Sequence, residues 1–442
     1  MPALGGNPWV QPPCATGVAV YTSYCSSLPD ICTMTGSELV GCTGEVLGVG
    51  GTLMLSNFGI ATVRPGVFAS LAPVAGDINL SHNAIATIAA STFTGVSVAG
   101  SFNLASTVLT GVGDAAFSSL AVGGDVTIGG CSSATFGAGA FAHASIAGAL
   151  AFASCSISSI GAGAFQGATL GSFTTSSTSI QAVGTSTGSF TGLSVSGDLD
   201  LSSAEIEVVG DSAFFGVTVG GNLNLDGNPV VSIGESVFGG ATIGGSLSFS
   251  SCAITSVAAA AFATMDVTGA VTFSSCQLGG LASGVFAGSS VGSLALPSSY
   301  MPTVNEGAFS GLTVAGDLDL SSAGVTAVAA SAFAAAKING ALKLNGNDIG
   351  ELTLDAMRGV DVPTLQLQGN THMVVDAALV ASVAFITTVE SSQADCSAAG
   401  VGAVTWKSAV VCSQCSTGSL AAGCEGGVGW CRVGSNCRVG CV

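Results

Sequence analysis

Residues 195–214 read Val-Ser-Gly-Asp-Leu-Asp-Leu-Ser-Ser-Ala-Glu-Ile-Glu-Val-Val-Gly-Asp-Ser-Ala-Phe. Residues 219–238 read Val-Gly-Gly-Asn-Leu-Asn-Leu-Asp-Gly-Asn-Pro-Val-Val-Ser-Ile-Gly-Glu-Ser-Val-Phe. Laid over one another, Leu199 matches Leu223, Leu201 matches Leu225, Ile206 matches Val230, Val209 matches Ile233 and Phe214 matches Phe238, each 24 residues on. The apolar–x–apolar pair that opens each block is the signature of a short strand with one buried face.

The same block repeats outward in both directions. Phe recurs at Phe68, Phe93, Phe117, Phe141, Phe165, Phe190, Phe214, Phe238, Phe262, Phe286, Phe309 and Phe333, at spacings of 23 to 25 residues, and Met357 continues the series. Nine residues after each Phe comes an apolar pair such as Leu247/Phe249, Val271/Phe273 or Leu318/Leu320. Three residues further stands a small polar position, filled by Asn83, Thr107, Cys131, Cys155, Thr178, Asn228, Cys252, Cys276, Ser299, Asn347 and Asn370. A fixed period of this length marks a solenoid, in which one turn cannot bury its apolar edge alone and stacked neighbours make a continuous core.

The pattern resembles the 24-residue extracellular type of leucine-rich repeat, L-x-L-x-x-N/C-x-L followed by L and F-x-x-L, over roughly residues 45–390. The resemblance implies a right-handed β-solenoid or horseshoe of about fourteen repeats, with short parallel strands and disulfide-rich caps. It divides the chain into a Cys-rich N-terminal cap (1–44), the solenoid (45–390) and a Cys-rich C-terminal cap or assembly region (391–442). One departure is regular. The family's first Leu gives way to an apolar residue followed by Gly, as in Val195-Ser-Gly197 and Val219-Gly-Gly221. Gly there permits positive φ or a close turn into the strand. The block over residues 126–140 is irregular, because Ser133 stands where Ile is expected.

Composition narrows the function. Charged residues are 7% of the chain, with 7 Lys and Arg against 25 Asp and Glu. No Lys or Arg lies between Arg64 and Lys337. Phosphate neutralisation needs clustered bases, so nucleic acid is an unexpected partner, as is an anionic membrane surface. The apolar stretch at 373–388 is too short to span a bilayer and is broken by Asp376, so no membrane insertion is expected. The first residues lack the charged and apolar regions of a signal peptide, so the numbering is expected to begin after processing or at an assigned start.

The 15 Cys fall in three groups. Cys131, Cys155, Cys252 and Cys276 occupy the small polar position and are expected to be buried free thiols, since a bond between adjacent repeats would distort the ladder. Cys14, Cys25, Cys32 and Cys42 are disulfide candidates of an N-terminal cap. Cys396, Cys412, Cys415, Cys424, Cys431, Cys437 and Cys441 are disulfide candidates at the other end. Zinc at Cys412-Ser-Gln-Cys415 is the weaker reading, because no second C-x₂-C or nearby His accompanies it. Disulfides imply an extracellular protein, secreted or at the cell surface. Seven C-terminal Cys is an odd number, which suggests a free thiol, an intermolecular bond or a longer chain.

No catalytic set emerges. His82, His143 and His372 lie in separate repeats, no nucleophile has a base beside it, and no cofactor motif occurs; an enzyme is not expected. A weak Ca²⁺ candidate is the oxygen set Asp198, Asp200, Asn222 and Asn224 on adjacent strands, against the blander expectation of a solvated acidic face. Asp317 and Asp319 make a second, poorer pair. Asn79-Leu-Ser81 is a candidate N-glycosylation site. The outward strand residues are small and mostly uncharged, without the Trp, Tyr and Arg that dominate binding hot spots. The first functional reading is therefore a non-catalytic, self-associating structural protein: a fibre, coat or matrix subunit. The alternative is a secreted or cell-surface adhesion or recognition module for a protein or glycan partner. A small-ligand or ice-binding surface ranks third, because the Thr residues do not form regular ranks.

Overall fold

A computed structural model describes residues 31–44, 51–183, 188–274, 276–367 and 369–370, and the backbone alone of 374–375, 388–390, 431–433 and 436–438. The chain forms two compact units, Met1–Thr178 and Ser179–Val442. Both are built mainly of parallel strands, and no α-helix occurs among the described residues.

The N-terminal unit opens with an antiparallel hairpin of Cys32–Thr35 and Glu38–Cys42. Its second strand pairs in parallel with Thr62–Val63, which starts a ladder through Thr87–Ile88 and Gly111–Val112. The main ladder stacks the inward residues Leu53, Ile78, Phe102, Val126, Leu150 and Phe173 in register. The C-terminal unit has an equivalent ladder of Leu199, Leu223, Leu247, Val271, Leu294, Leu318, Leu342 and Leu365. A second row runs beside it, from Ser194–Val195 through Thr218–Val219 and Thr242–Ile243. A third row carries Ala182–Val183, Val208–Val209, Ser232–Ile233 and Ser256–Val257. Each 24-residue coil thus turns three corners and buries one side of every short strand.

The periodic Phe residues form a stacked column inside each unit. Phe93, Phe117, Phe141 and Phe165 stack at 4.7 to 5.2 Å between ring centroids, with planes within 8°. Phe190 through Phe333 continue alike in the C-terminal unit, at 5.0 to 5.6 Å and within 12°. Strand residues Phe102 and Phe249 meet the column edge-on, so column and ladder share one core. Every coil adds its ring at the coil spacing, so burial is close to a sum of identical steps.

Sharp corners explain the composition. From Phe93 to Phe333 the residue two before the Phe and the residue two after it both have positive φ, as does the residue that leaves the main strand wherever it is described. Ser212, Gly216 and Ser203 are one such set, at φ 54°, 64° and 51°. Gly takes this left-handed conformation freely, and other residues pay about 1–2 kcal/mol. Three such places per coil account for part of the 65 Gly and for the Ser that shares those positions.

The Gly before each main strand has a different cause. Gly221 does not have positive φ, and a Cβ there would overlap Oδ1 of Asp198 and lie 2.9 Å from the Gly197 carbonyl carbon. Positive φ, one of the two explanations open from the sequence, is not realised at Gly221; what excludes a side chain there is the close approach of the preceding coil's corner. The irregular block is resolved by a register shift between Ala134 and Thr135. Ala134, fully buried, fills the slot that Ser133 vacates by taking φ 50°.

One sequence expectation is corrected. Cys131 is bonded to Cys155 and Cys252 to Cys276, with Cα–Cα distances of 4.3 and 4.9 Å. These four are not free thiols. They sit at the corner after the strand, where equivalent inward atoms of successive coils lie one strand spacing apart, so the bond spans the stack without displacing the ladder. In the N-terminal cap, Cys32 is bonded to Cys42; Cys14 and Cys25 lie outside the described residues. So do Cys396, Cys412, Cys415, Cys424 and Cys441, and of Cys431 and Cys437 only the backbone, in an antiparallel hairpin, is described.

Candidate functional site

The outward side of the main ladder is the candidate surface. Its residues are Met54, Asn79, Asn103, Thr127, Ala151 and Thr174 in the N-terminal unit, and Asp200, Asn224, Ser248, Thr272, Ala295, Asp319, Lys343 and Gln366 in the C-terminal unit. Met54 is exposed and the others are half-buried between flanking coils. Strand alternation puts them there: each stands next to a core residue and so points the other way.

Many of the polar side chains already have structural partners. Oδ1 of Asn79, Asn103, Asp200, Asn224 and Asp319 each accepts the backbone N–H two residues on, at 2.8 to 3.0 Å, and so ends its strand. Side chains just before the strand form a second series between coils. Oδ1 of Asp77 accepts from Ser101 N, that of Asp125 from Ala149 N, that of Asp198 from Asn222 N, that of Asn222 from Ser246 N and that of Asp317 from Ala341 N, at 2.7 to 2.9 Å.

This decides how the Ca²⁺ candidate is arranged. Asp198 also accepts from Asn222 Nδ2 at 3.2 Å, so Asn222 presents a donor, not a metal-ligating oxygen, to its neighbour. Asp198, Asp200, Asn222 and Asn224 each commit one oxygen to a backbone amide. No group of three or more His, Cys, Asp or Glu is placed to hold a metal among the described residues. The Asp317–Asp319 pair is half-neutralised from the next coil, where Lys343 Nζ lies 2.8 Å from Asp317 and 3.6 Å from Asp319. Its hydrogen bond to Lys343 holds the Asp317 carboxyl below its ordinary pKa, and the same bond raises that of Lys343.

The glycosylation candidate Asn79 is half-buried, and its Oδ1 accepts from both N and Oγ of Ser81, at 3.0 and 2.7 Å. His82 and His143 occupy left-handed corner positions in different coils, at φ 55° and 57°; His372 lies outside the described residues. Sequence reading missed the exposed Phe215 and Tyr300, which follow a periodic Phe and a small polar residue and are 46% and 60% exposed. Nothing in the period marks either one, since both positions vary between coils.

The family model described as BspA type Leucine rich repeat region matches in six copies, over residues 62–195, 135–267, 186–314 and 231–347. These matches together span well over half of the chain. No curated protein sequence matches it. Among solved structures, the crystal structure of a TLR13–ssRNA13 complex aligns over 77% of each chain, at 11% identity and a TM-score of 0.18. An overlap that loose carries no weight for fold or ligand.

Proposed function

Given that the chain belongs to the BspA-type leucine-rich-repeat family, we propose that it is a non-catalytic extracellular recognition or adhesion module whose outward strand positions meet a protein or glycan. One observation carries this reading. Inward ladder positions are Leu, Ile, Val or Phe in coil after coil, while the outward neighbours change from Asn to Thr, Ala, Asp, Ser, Lys and Gln. A non-repeating row on a repeating scaffold can distinguish partners. A surface built for polymerisation would be expected to repeat along with its scaffold.

The net charge of −18 also favours separate molecules, since like charges repel. The long stretch without Lys or Arg argues against phosphate-bearing partners. Three buried disulfides among the described residues support an oxidising, extracellular location. The self-associating structural reading is favoured by one feature, the second strand row. There Ser97, Ala121, Ser145 and Thr169, and separately Ser194, Thr218 and Thr242, offer small side chains to a neighbour, before the row goes on through Asp266 and Lys337.

Sedimentation velocity over a wide concentration range, combined with binding to arrays of matrix proteins and glycans, tests both. The recognition reading expects a monomer and an array ligand that binds at least tenfold more weakly to D200A/N224A/D319A, with unchanged circular dichroism. Concentration-dependent polymers, with the variant polymerising like the parent, would establish the structural reading instead.

A further inference from the structure

We propose that Cys131–Cys155 and Cys252–Cys276 are redox-operated staples between successive coils, and that the coils stay folded, but open more readily, when the bonds are reduced. The position they occupy has a defined task. Except at Thr107, which donates to Leu104 O of its own coil and Gly129 O of the next, its side chain donates to the carbonyl that ends the strand of the preceding coil. Asn83 Nδ2 donates to Leu55 O, Thr178 Oγ1 to Phe152 O, Asn228 Nδ2 to Leu201 O, Ser299 Oγ to Phe273 O and Asn347 Nδ2 to Leu320 O, at 2.7 to 3.2 Å. Cys276 Sγ lies 3.2 Å from Phe249 O and Cys155 Sγ 3.9 Å from Ile128 O, each 27 residues back, as Asn228 is from Leu201.

The second sulfur of each pair therefore stands where the donor stands elsewhere. In the disulfide it has no hydrogen to give, and the covalent bond joins the coils. As a thiol it regains a weak donor facing the same carbonyl. The fold has a place for both forms. All four Cys are at most 6% exposed, so a reagent reaches them only when a coil opens.

The exchange balances with a small disulfide as oxidant. Two thiols lose two protons and two electrons, one S–S bond forms, and the small disulfide becomes two thiols. Each bond joins residues 24 apart. A cross-link of that span restricts the opened chain by a factor of roughly a hundred or more in the opening equilibrium. Because each coil contacts only its neighbours, the effect is local.

Hydrogen exchange of the full chain, after dithiothreitol or after oxidised glutathione, tests this. Reduction is expected to speed exchange about a hundredfold in peptides covering 126–160 and 247–280. Peptides covering 199–230, joined through Asn228, should change less than twofold, and circular dichroism should not change. Equal exchange in the two forms, or loss of β-structure throughout on reduction, overturns the proposal. Because dithiothreitol also reaches other cysteines, C252S/C276S serves as a second arm. It should reproduce the reduced rates in 247–280 alone, and C252A/C276A, with no donor for Phe249 O, should exchange faster still. Equal rates for the Ser and Ala variants would refute the donor role of the reduced thiol.

Discussion

Asn228 Nδ2 donates to Leu201 O, 27 residues earlier, at 2.8 Å, while its Oδ1 accepts the backbone amides of Ala204 and Ile206 in that same earlier coil. A fourth bond, to Leu225 O at 2.8 Å, ties it to its own coil. One buried amide therefore serves polar backbone groups at a corner where strand pairing has stopped. Asn228→Ala leaves these groups unpaired, at a cost of about 3 kcal/mol. Urea denaturation should show this loss, and amide exchange should place it around residues 199–233.

Removing one ring from the Phe column should act differently. Phe214→Ala opens a cavity between Phe190 and Phe238, whose centroids lie 5.1 and 5.3 Å from that of Phe214. The expected loss is about 3–5 kcal/mol. Phe214→Leu, which refills most of the space, should recover over half of it when the two are compared by denaturation.

Two glycines separate close approach from backbone conformation. Gly216 has φ 64° and open space around a notional Cβ, whereas Gly221 would place its Cβ on Asp198 and the Gly197 backbone. Gly216→Ala should cost about 1–2 kcal/mol. Gly221→Ala should cost more, because the obstacle is main chain and cannot rotate away. A larger effect at Gly216 in thermal unfolding would contradict this account of the corner.

The Asp317–Lys343 pair sets a small acid dependence. The folded carboxyl is held below its unfolded value, first by the hydrogen bond from Lys343. Its contribution is therefore present above the unfolded pKa of about 3.9 and is lost as pH falls through the lower folded value. Exposure of both groups keeps the effect below about 1 kcal/mol. Lys343→Met should lower the melting temperature slightly at pH 6 and make no difference below pH 2. The raised pKa of Lys343 has the opposite sense: its stabilisation is present at neutral pH and is lost as pH rises through the folded value.

The amino-acid order by itself determined the family, the period, the inward residues and the strand register. Burial is read from a pattern repeated many times, and a shift of one residue in register would turn every Leu to water. It could not determine what each polar atom bonds to in the next coil. Asp198 and Asn222 look like neighbouring oxygen donors along the chain, yet stacking turns the Asn amide nitrogen toward the carboxylate. The sequence places Cys131 and Cys155 in adjacent repeats but not the direction of their side chains at the corner, and that direction lets them bond. Gly221 allowed two readings until the Gly197 backbone was found beneath it. Periodicity reports which side of a coil meets the core, whereas hydrogen bonds, disulfides and close approach depend on how one coil sits on the next. Only the tertiary structure holds that angle and distance.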